Sequence, residues 1–325
     1  MASDSARTRP EVSVIVPARN EELSLGVCLD SLVNQLGIAF EVIVVDDGST
    51  DRTREIALSF PGVHVMDSGP LPAAWTGKNN ALVVGARKAQ GEWLLFTDAD
   101  TLHMPGSLAQ SLEQAKQRSA ALLSYSPEQE VHGLVQRAVM PVIFAELAVT
   151  YRPREVCNPA SPVAAANGQY LLISREAYDA VGGHEAVAAN ILEDVALARA
   201  VKDSGRRIVL LYGRAMVRTR MYRNFAQLRE GWTKNFALLF PSAAGLAALR
   251  MAEFLLVLGG AATTIATAVK GYATSSVVAA VINPRCLQRI AKTREASAFF
   301  LAIESARYSG SAGVCVSFAP FAALL

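Results

Sequence analysis

Between residues 12 and about 220, short apolar runs alternate with longer stretches whose apolar positions recur at helical spacing, which is the grammar of βαβ units. "VSVIVPA" (12–18) predicts a strand, "EELSLGVCLDSLVNQ" (21–35) a helix, and "EVIVVDD" (41–47) a second strand rich in β-branched residues. In "GSTDRTREIALSF", Ser49 or Thr50 stands where a helix cap belongs; "VHVMD" (63–67) predicts a third strand, and "NNALVVGARKAQG" a helix closing at Gly91. A strand over 93–97 follows, then "ISREAYDAVGG" (173–183) and a helix over "EDVALARAVKDSG" (193–205). Parallel strands buried on both faces bind ligands beyond their carboxyl ends, near the switch in strand order. Asp46, Asp47, Asp98 and Asp100 all fall at such ends.

Further along, the pattern changes. "FALLFPSAAGLAAL" and "FLLVLGGAATTIATAV" are almost free of charge, interrupted only by Arg250 and Glu253. The stretch 251–269 approaches the roughly 20 apolar residues that span a bilayer, the alternative being a buried hydrophobic helix. From 283 the chain is basic and amphipathic. "LVQRAVMPVIFAELAVTY" (134–151) is also strongly apolar, and Arg214, Arg218, Arg220, Arg223, Arg229 and Lys234 cluster just before the hydrophobic tail. That pairing fits an interfacial helix near anionic lipid, or a core helix beside a solvated basic face. The expected divisions are a flexible N-terminus (1–11), an α/β domain (12–240), hydrophobic membrane-associated helices (241–282) and a basic and apolar tail (283–325).

Composition narrows the function. With 51% hydrophobic and 18% charged residues, the 325-residue chain can bury a sizeable core. Lys and Arg total 31 against 29 for Asp and Glu, so a net charge of +2 supplies no global field for nucleic acid, and no aromatic residues interleave with the basic ones to stack bases. Cys28, Cys157, Cys286 and Cys315 are scattered without metal-ligand spacing, which suits a reducing compartment. "MASDSARTRPEVSV" lacks the apolar core of a signal peptide, so the expected location is the cytoplasmic side.

Two ionised carboxylates one residue apart repel unless a positive group lies between them. "LLFTDADT" ends a strand in such a pair, and a divalent cation answers it: Mg²⁺ or Mn²⁺ takes few protein carboxylates and fills its other positions with diphosphate oxygens. The plainer alternative is that Asp98 and Asp100 cap a helix begun near Pro105. "DDGST" alone reads as a turn, but two strands ending in acidic pairs at one sheet edge exceed what turns require. No GxGxxG follows the first strand and the "GK" at 77–78 belongs to no P-loop, so phosphates must be held otherwise.

"VSVIVPARNEE", "VIVVDDGSTDRT", "TGKNNAL", "LLFTDADT", "REAYDAVGG" and "ILEDVALARAVKDSG", in that order, resemble glycosyltransferase family 2 over roughly residues 12–240. "LPAAWTGK" and "RMYRNFAQLREGWTKN" are similar to the membrane-associated subgroup found with hopanoid and carotenoid biosynthesis. The resemblance implies the GT-A nucleotide-diphospho-sugar transferase fold, a mixed Rossmann-like sheet flanked by helices, over 12–240. It implies a UDP- or GDP-sugar donor contacted by Pro17, Arg19, Asn20, Glu21, Asp46, Asp47 and Asp98, with Lys78 supporting the phosphates. Asp98 and Asp100 would hold the divalent cation, Asp100 as principal ligand. Asp194 would be the general base that takes the acceptor's proton, although its position at a helix start equally suits a cap. Glu193, Arg220, Trp232 and Lys234 would contact substrate.

The resemblance implies an inverting single displacement onto a hydroxyl or carboxyl; the apolar 134–151 stretch beside the basic cluster adds the expectation of a lipid-borne acceptor at the inner face of the cytoplasmic membrane, with the catalytic domain facing the cytoplasm. No GxSxG nucleophile and no HExxH is present, and His103 reads as a loop histidine. Two departures matter. "QLREGW" places Glu230 and Gly231 before Trp232 where processive members carry Gln-x-x-Arg-Trp, which favours transfer of a single sugar. "GGHE" puts His184 where an aromatic is common. Rival classes are a nucleotide-dependent oxidoreductase, disfavoured by the missing glycine turn, a nucleotidyltransferase, and a non-catalytic membrane protein of the same fold.

Overall fold

A computed structural model of the chain describes residues 9–222, 225–239, 242, 244–255 and 259. The first strands and helices are β1 (Val12–Ala18), α1 (Leu25–Val33), β2 (Phe40–Asp46), α2 (Thr53–Leu58), β3 (Val63–Asp67), α3 (Gly77–Lys88) and β4 (Trp93–Phe96). They are followed by β5 (Thr101–His103), α4 (Ser107–Gln117), β6 (Leu122–Ser126), β7 (Glu128–Gln129), α5 (Gly133–Thr150) and α6 (Pro153–Cys157). The last are β8 (Leu171–Ser174), α7 (Arg175–Ala180), α8 (Glu193–Asp203), β9 (Ile208–Tyr212), β10 (Val217–Thr219) and α9 (Phe225–Leu239).

Seven strands form one sheet in the order β3-β2-β1-β4-β8-β6-β9. All run parallel except β8, which is antiparallel to both β4 and β6. Alternation along β1 explains the layers: Val12, Val14 and Val16 face one core with α1 and α4, while Ile15 faces the other with α3 and α8. On that second face Gly85 lets α3 lie close to the sheet, because a Cβ there would stand 2.5 Å from Ile15 Cγ2. A second, three-stranded sheet has the order β5-β10-β7, with β10 antiparallel to β5 and parallel to β7.

The expected strands at 12–18 and 63–67 match the structure, while several ends move. The first helix starts at Leu25 rather than 21, because Glu21 and Glu22 give their backbone N–H groups to Thr53 Oγ1 and Asp51 Oδ2 in a loop. Neither Ser49 nor Thr50 caps α2; Asp51 accepts from the Thr53 N–H instead. Helix α3 begins at Gly77 with Thr76 as its cap and ends at Lys88, and Gly91 serves a different purpose. Its amide donates to Ser13 Oγ at 2.8 Å, and a Cβ would lie 2.6 Å from the Ser13 nitrogen, so the glycine permits close approach to β1. The strand expected at 93–97 ends at Phe96, and the helix expected at 193–205 ends at Asp203.

The chain divides into two compact units, Met1–Arg137 with Thr150–Pro241, and Ala138–Val149 with Ser242–Leu325. Within the second, residues 244–255 are helical, and Arg250 forms ion pairs with Glu146 and Glu253. Among the described residues, Gly133–Cys157 is the one helical stretch long and apolar enough to cross a membrane by length and composition. Val139, Val142, Leu249, Met251 and Phe254 are exposed. Most of the expected 241–282 region and all of the 283–325 tail lie outside the described residues.

Candidate active site

The carboxyl ends of β1, β2 and β4 build the site floor. Pro17 pairs in register with Val45 of β2 where β4 no longer runs beside β1, so its missing N–H is tolerated in a central strand. Asn20, in the turn beyond, has φ 56°, a left-handed conformation that asparagine adopts more readily than most residues. Its side-chain oxygen accepts from the Thr50 N–H at 2.8 Å and its own N–H donates to Ser49 Oγ, which stitches the loops after β1 and β2 together. Gly48, at φ 69°, closes the turn after Asp47.

The acidic pairs take different partners. Asp46 is buried, accepts from the Ser49 N–H and lies 3.8 Å from Arg54; Asp47 accepts from Ser68 Oγ at 2.8 Å and lies 3.4 Å from Arg19. Neither is joined to Asp98, Asp100 or Asp194 by a described contact. The sheet brings Asp46 to the same edge, but the structure spends its carboxylate on holding the loop.

Around Asp98 the arrangement is tighter. Lys78 Nζ stands 2.8 Å from Asp98 Oδ1 and 2.8 Å from Glu193 Oε1. Burial pulls the Lys78 ammonium down, yet Asp98 and Glu193 hold it well above its ordinary range. With 38% of its side-chain surface accessible, water tempers that attraction. The lysine expected at the phosphates is thus shared between two carboxylates. Asp100 Oδ1 is buried with no hydrogen-bond partner among the described residues, and burial, with Asp98 and Glu21 nearby, pushes its carboxyl up to about 7. Neither Asp98 nor Asp100 caps α4, which starts at Ser107 behind Gly106.

These residues fit a divalent cation in one specific respect: an orphaned buried carboxylate oxygen is what a cation would satisfy. No group of three His, Cys, Asp or Glu side chains poised to hold a metal occurs among the described residues, so most positions would fall to diphosphate and water.

Asp194 sits in the first turn of α8, but Leu192 is the cap residue. The Asp194 carboxylate instead accepts from the Gly168 N–H through Oδ2 and from the Val195 N–H through Oδ1, each at 2.8 Å. Burial, and then the neighbouring Glu193 carboxylate, push its pKa up to about 7, against the pull of Lys78 and the two N–H groups. A carboxylate poised near neutral pH suits a proton acceptor. A Cβ on Gly168 would lie 3.4 Å from Lys78 Nζ and 3.5 Å from Asp194 Oδ2, so these groups converge on one glycine.

Beside Asp100 opens a cavity of about 600 Å³, whose lining includes Asn20, Glu21, Arg220, Tyr222, Gln227 and Glu230. Arg220, expected to contact substrate, stands at the cavity wall. Trp232 is buried, its ring centroid 6.5 Å from that of Tyr222, and does not line the cavity. The departure in "QLREGW" has a steric reason, since a Cβ on Gly231 would lie 2.7 Å from the Tyr222 ring. The side chain of Lys234 lies outside the described set.

His184 is no acceptor contact: it is buried, stacks edge-on against Phe96 at 4.5 Å and bonds Tyr178 Oη, and burial drops its pKa to about 3. His103 is likewise buried, 3.1 Å from Thr97 Oγ1. Tyr222, Gln227 and Gly168 escaped sequence reading. The first two lie inside "RMYRNFAQLREGWTKN", but nothing in that stretch says which of its side chains face a cavity, and Gly168 acquires its role only through the reversed direction of β8.

Comparison with known proteins agrees with this architecture. The model of Glycosyl transferase family 2 matches residues 13–182. The chain is 29% identical over 229 residues to the 4,4'-diaponeurosporenoate glycosyltransferase of Staphylococcus aureus strain USA300, which covers 70% of this chain and 60% of that protein. With the protein of the same name from strain MRSA252 the identity is 29% over 257 residues, covering 78% and 67%. The chain spans about 60% of the length of the first of these relatives. Among solved structures, the mannosyltransferase PcManGT from Pyrobaculum calidifontis, in complex with GDP-Man and Mn²⁺, superposes with a TM-score of 0.53 at 20% identity. That match covers 90% of this chain and 87% of the other, and it establishes the GT-A fold with its mixed sheet flanked by helices.

Proposed function

Because the chain belongs to glycosyl transferase family 2, we propose that it moves one sugar from a UDP- or GDP-sugar to a hydroxyl or carboxyl of a lipid-borne acceptor, with inversion at the anomeric carbon. The observation that carries this reading is the convergence of Asp98, Glu193 and Asp194 around Lys78 and Gly168, beside an Asp100 oxygen that has no hydrogen-bond partner among the described residues. The carotenoid-type acceptor named for the relatives supports the lipid class of acceptor, of which hopanoid, carotenoid and polyprenyl types share the chemistry.

In this reading the donor's diphosphate lies at the strand ends beside Asp98 and Asp100, next to the cavity lined by Arg220 and Tyr222. A Mg²⁺ or Mn²⁺ ion held by Asp98 and Asp100 would neutralise charge on the departing nucleoside diphosphate. With a hydroxyl acceptor, Asp194 takes the proton at a carboxylate oxygen while the acceptor oxygen attacks C1 and the C1–O bond to the diphosphate breaks; a carboxyl acceptor, already ionised, attacks without that proton transfer. The Gly168 N–H fixes that carboxylate's direction. A single displacement needs no covalent nucleophile on the enzyme. The site would face the cytoplasm at the inner face of the cytoplasmic membrane, with the apolar surface of Gly133–Cys157 and the second unit against lipid.

Incubating the purified full chain with a panel of nucleotide sugars and Mn²⁺, with and without a lipid extract, tests the proposal. We expect one donor to be consumed with sugar appearing on a lipid, and Asp100→Ala to lose donor binding. Release of pyrophosphate from a nucleoside triphosphate instead would make the protein a nucleotidyltransferase.

A further inference from the structure

The segment 186–192 that leads into α8 contains no strand or α-helix, and one helical turn from elsewhere holds it. The Thr76 N–H donates to the Ala188 carbonyl at 3.1 Å. The fully buried Asn79 side chain donates to the carbonyls of Val187 (3.3 Å), Ala188 (2.8 Å) and Asn190 (3.0 Å). Lys78, between them in sequence, reaches Glu193 and Asp98 at 2.8 Å each.

We propose that Lys78, with Asn79 beside it, is a positioning residue: it clamps the base-bearing segment 187–194 to the strand end at Asp98, so that donor site and base keep a fixed separation. This rests on the reading of Asp194 as the base. An ammonium has three N–H donors, and here two are directed at carboxylates from separate elements. The Glu193 side chain is only 9% accessible, so without Lys78 it would be a buried unpaired charge. It would relieve that cost by swinging toward water, and the first turn of α8 with Asp194 would follow. A displacement of about 1 Å at a reacting group costs about a hundredfold in rate, so the clamp matters to turnover even where it touches no substrate.

The test uses the full chain and the variants Lys78→Gln and Lys78→Arg. Amide hydrogen exchange on the protein alone should quicken about tenfold over 187–195 in Lys78→Gln, stay unchanged over β1, and return toward wild type in Lys78→Arg. Calorimetry with UDP or GDP plus Mn²⁺ should give affinities within about threefold of wild type, and turnover of an active donor should drop about a hundredfold in kcat with its KM held. Unchanged exchange with nucleotide affinity reduced tenfold or more would overturn the proposal and make Lys78 a phosphate ligand. If Lys78→Gln does not fold, Asn79→Ala takes its place: faster exchange confined to 187–195 supports the clamp, and unchanged exchange refutes it. Absence of nucleotide binding by the wild-type protein would defeat the donor assignment, while the exchange result still decides the clamp.

Discussion

Replacing Asp194 by Asn leaves the side chain's shape and removes its ability to hold a proton. In the structure its two oxygens accept from Gly168 and Val195 at 2.8 Å each; the Asn variant keeps one of these contacts and turns an NH₂ group toward the other N–H. The lost charged hydrogen bond costs about 1–3 kcal/mol. Part of this is offset, because burial and Glu193 disfavour the ionised carboxylate in the folded state. The melting temperature should therefore fall by only a few degrees. Transfer should fall far more, since losing a general base costs about 10²–10⁴ in kcat, or about 3–5 kcal/mol of barrier.

The pH dependence has a definite sign. Asp194's pKa is raised from 3.8 to about 7, so the base form is lost as pH falls through 7 and wild-type kcat/KM should decline about tenfold per unit below it. Stability runs the other way. The folded state binds this proton more tightly than the unfolded one, so the contribution of Asp194 is greatest in acid and declines as pH rises from about 4 to 7. The Asn variant should lose the Asp194 share of both dependences, leaving the share that Asp100, also raised to about 7, contributes. The assay is sugar transfer to a lipid extract with the donor found active, run from pH 5 to 9 beside thermal melts. An Asp194→Asn protein keeping more than a tenth of wild-type kcat would refute the base assignment.

Two further outcomes follow from geometry already described. Gly91→Ala drives a Cβ against backbone atoms of Val12 and Ser13 that cannot move aside, so it should lower stability by about 3 kcal/mol in denaturant titration, whereas a mild effect would mean β1 can shift. The full chain should sediment with membranes on cell fractionation and a chain ending near residue 240 should partition less; equal solubility would remove the membrane reading.

What was legible in the sequence were features whose signal is local. The alternation of β1 and the acidic ends of β2 and β4 need only neighbours a few positions away, and both lie where the pattern placed them. Gly91 misled because a glycine after a helical pattern resembles a helix stop, while its real constraint is a strand 78 positions earlier in the chain. The resemblance implies a phosphate role for Lys78, and a lysine at a helix start otherwise reads as a solvated charge; its carboxylate partners, Asp98 and Glu193, come from distant segments that neither reading reaches. Asn79 is the plainer case, since the carbonyls it holds lie as far as 111 positions away. Tyr222 was illegible for a related reason: the space it fills exists because residue 231, nine positions on, lacks a side chain.

The one reversed strand has an evolutionary implication. Since β6 leaves the sheet at the mouth and β8, running backwards, re-enters there, the whole excursion over 127–170 departs from and returns to the same rim. Lengthening a loop whose ends already meet costs chain entropy only logarithmically. A lineage can therefore rebuild this excursion while β1 to β4 keep their register.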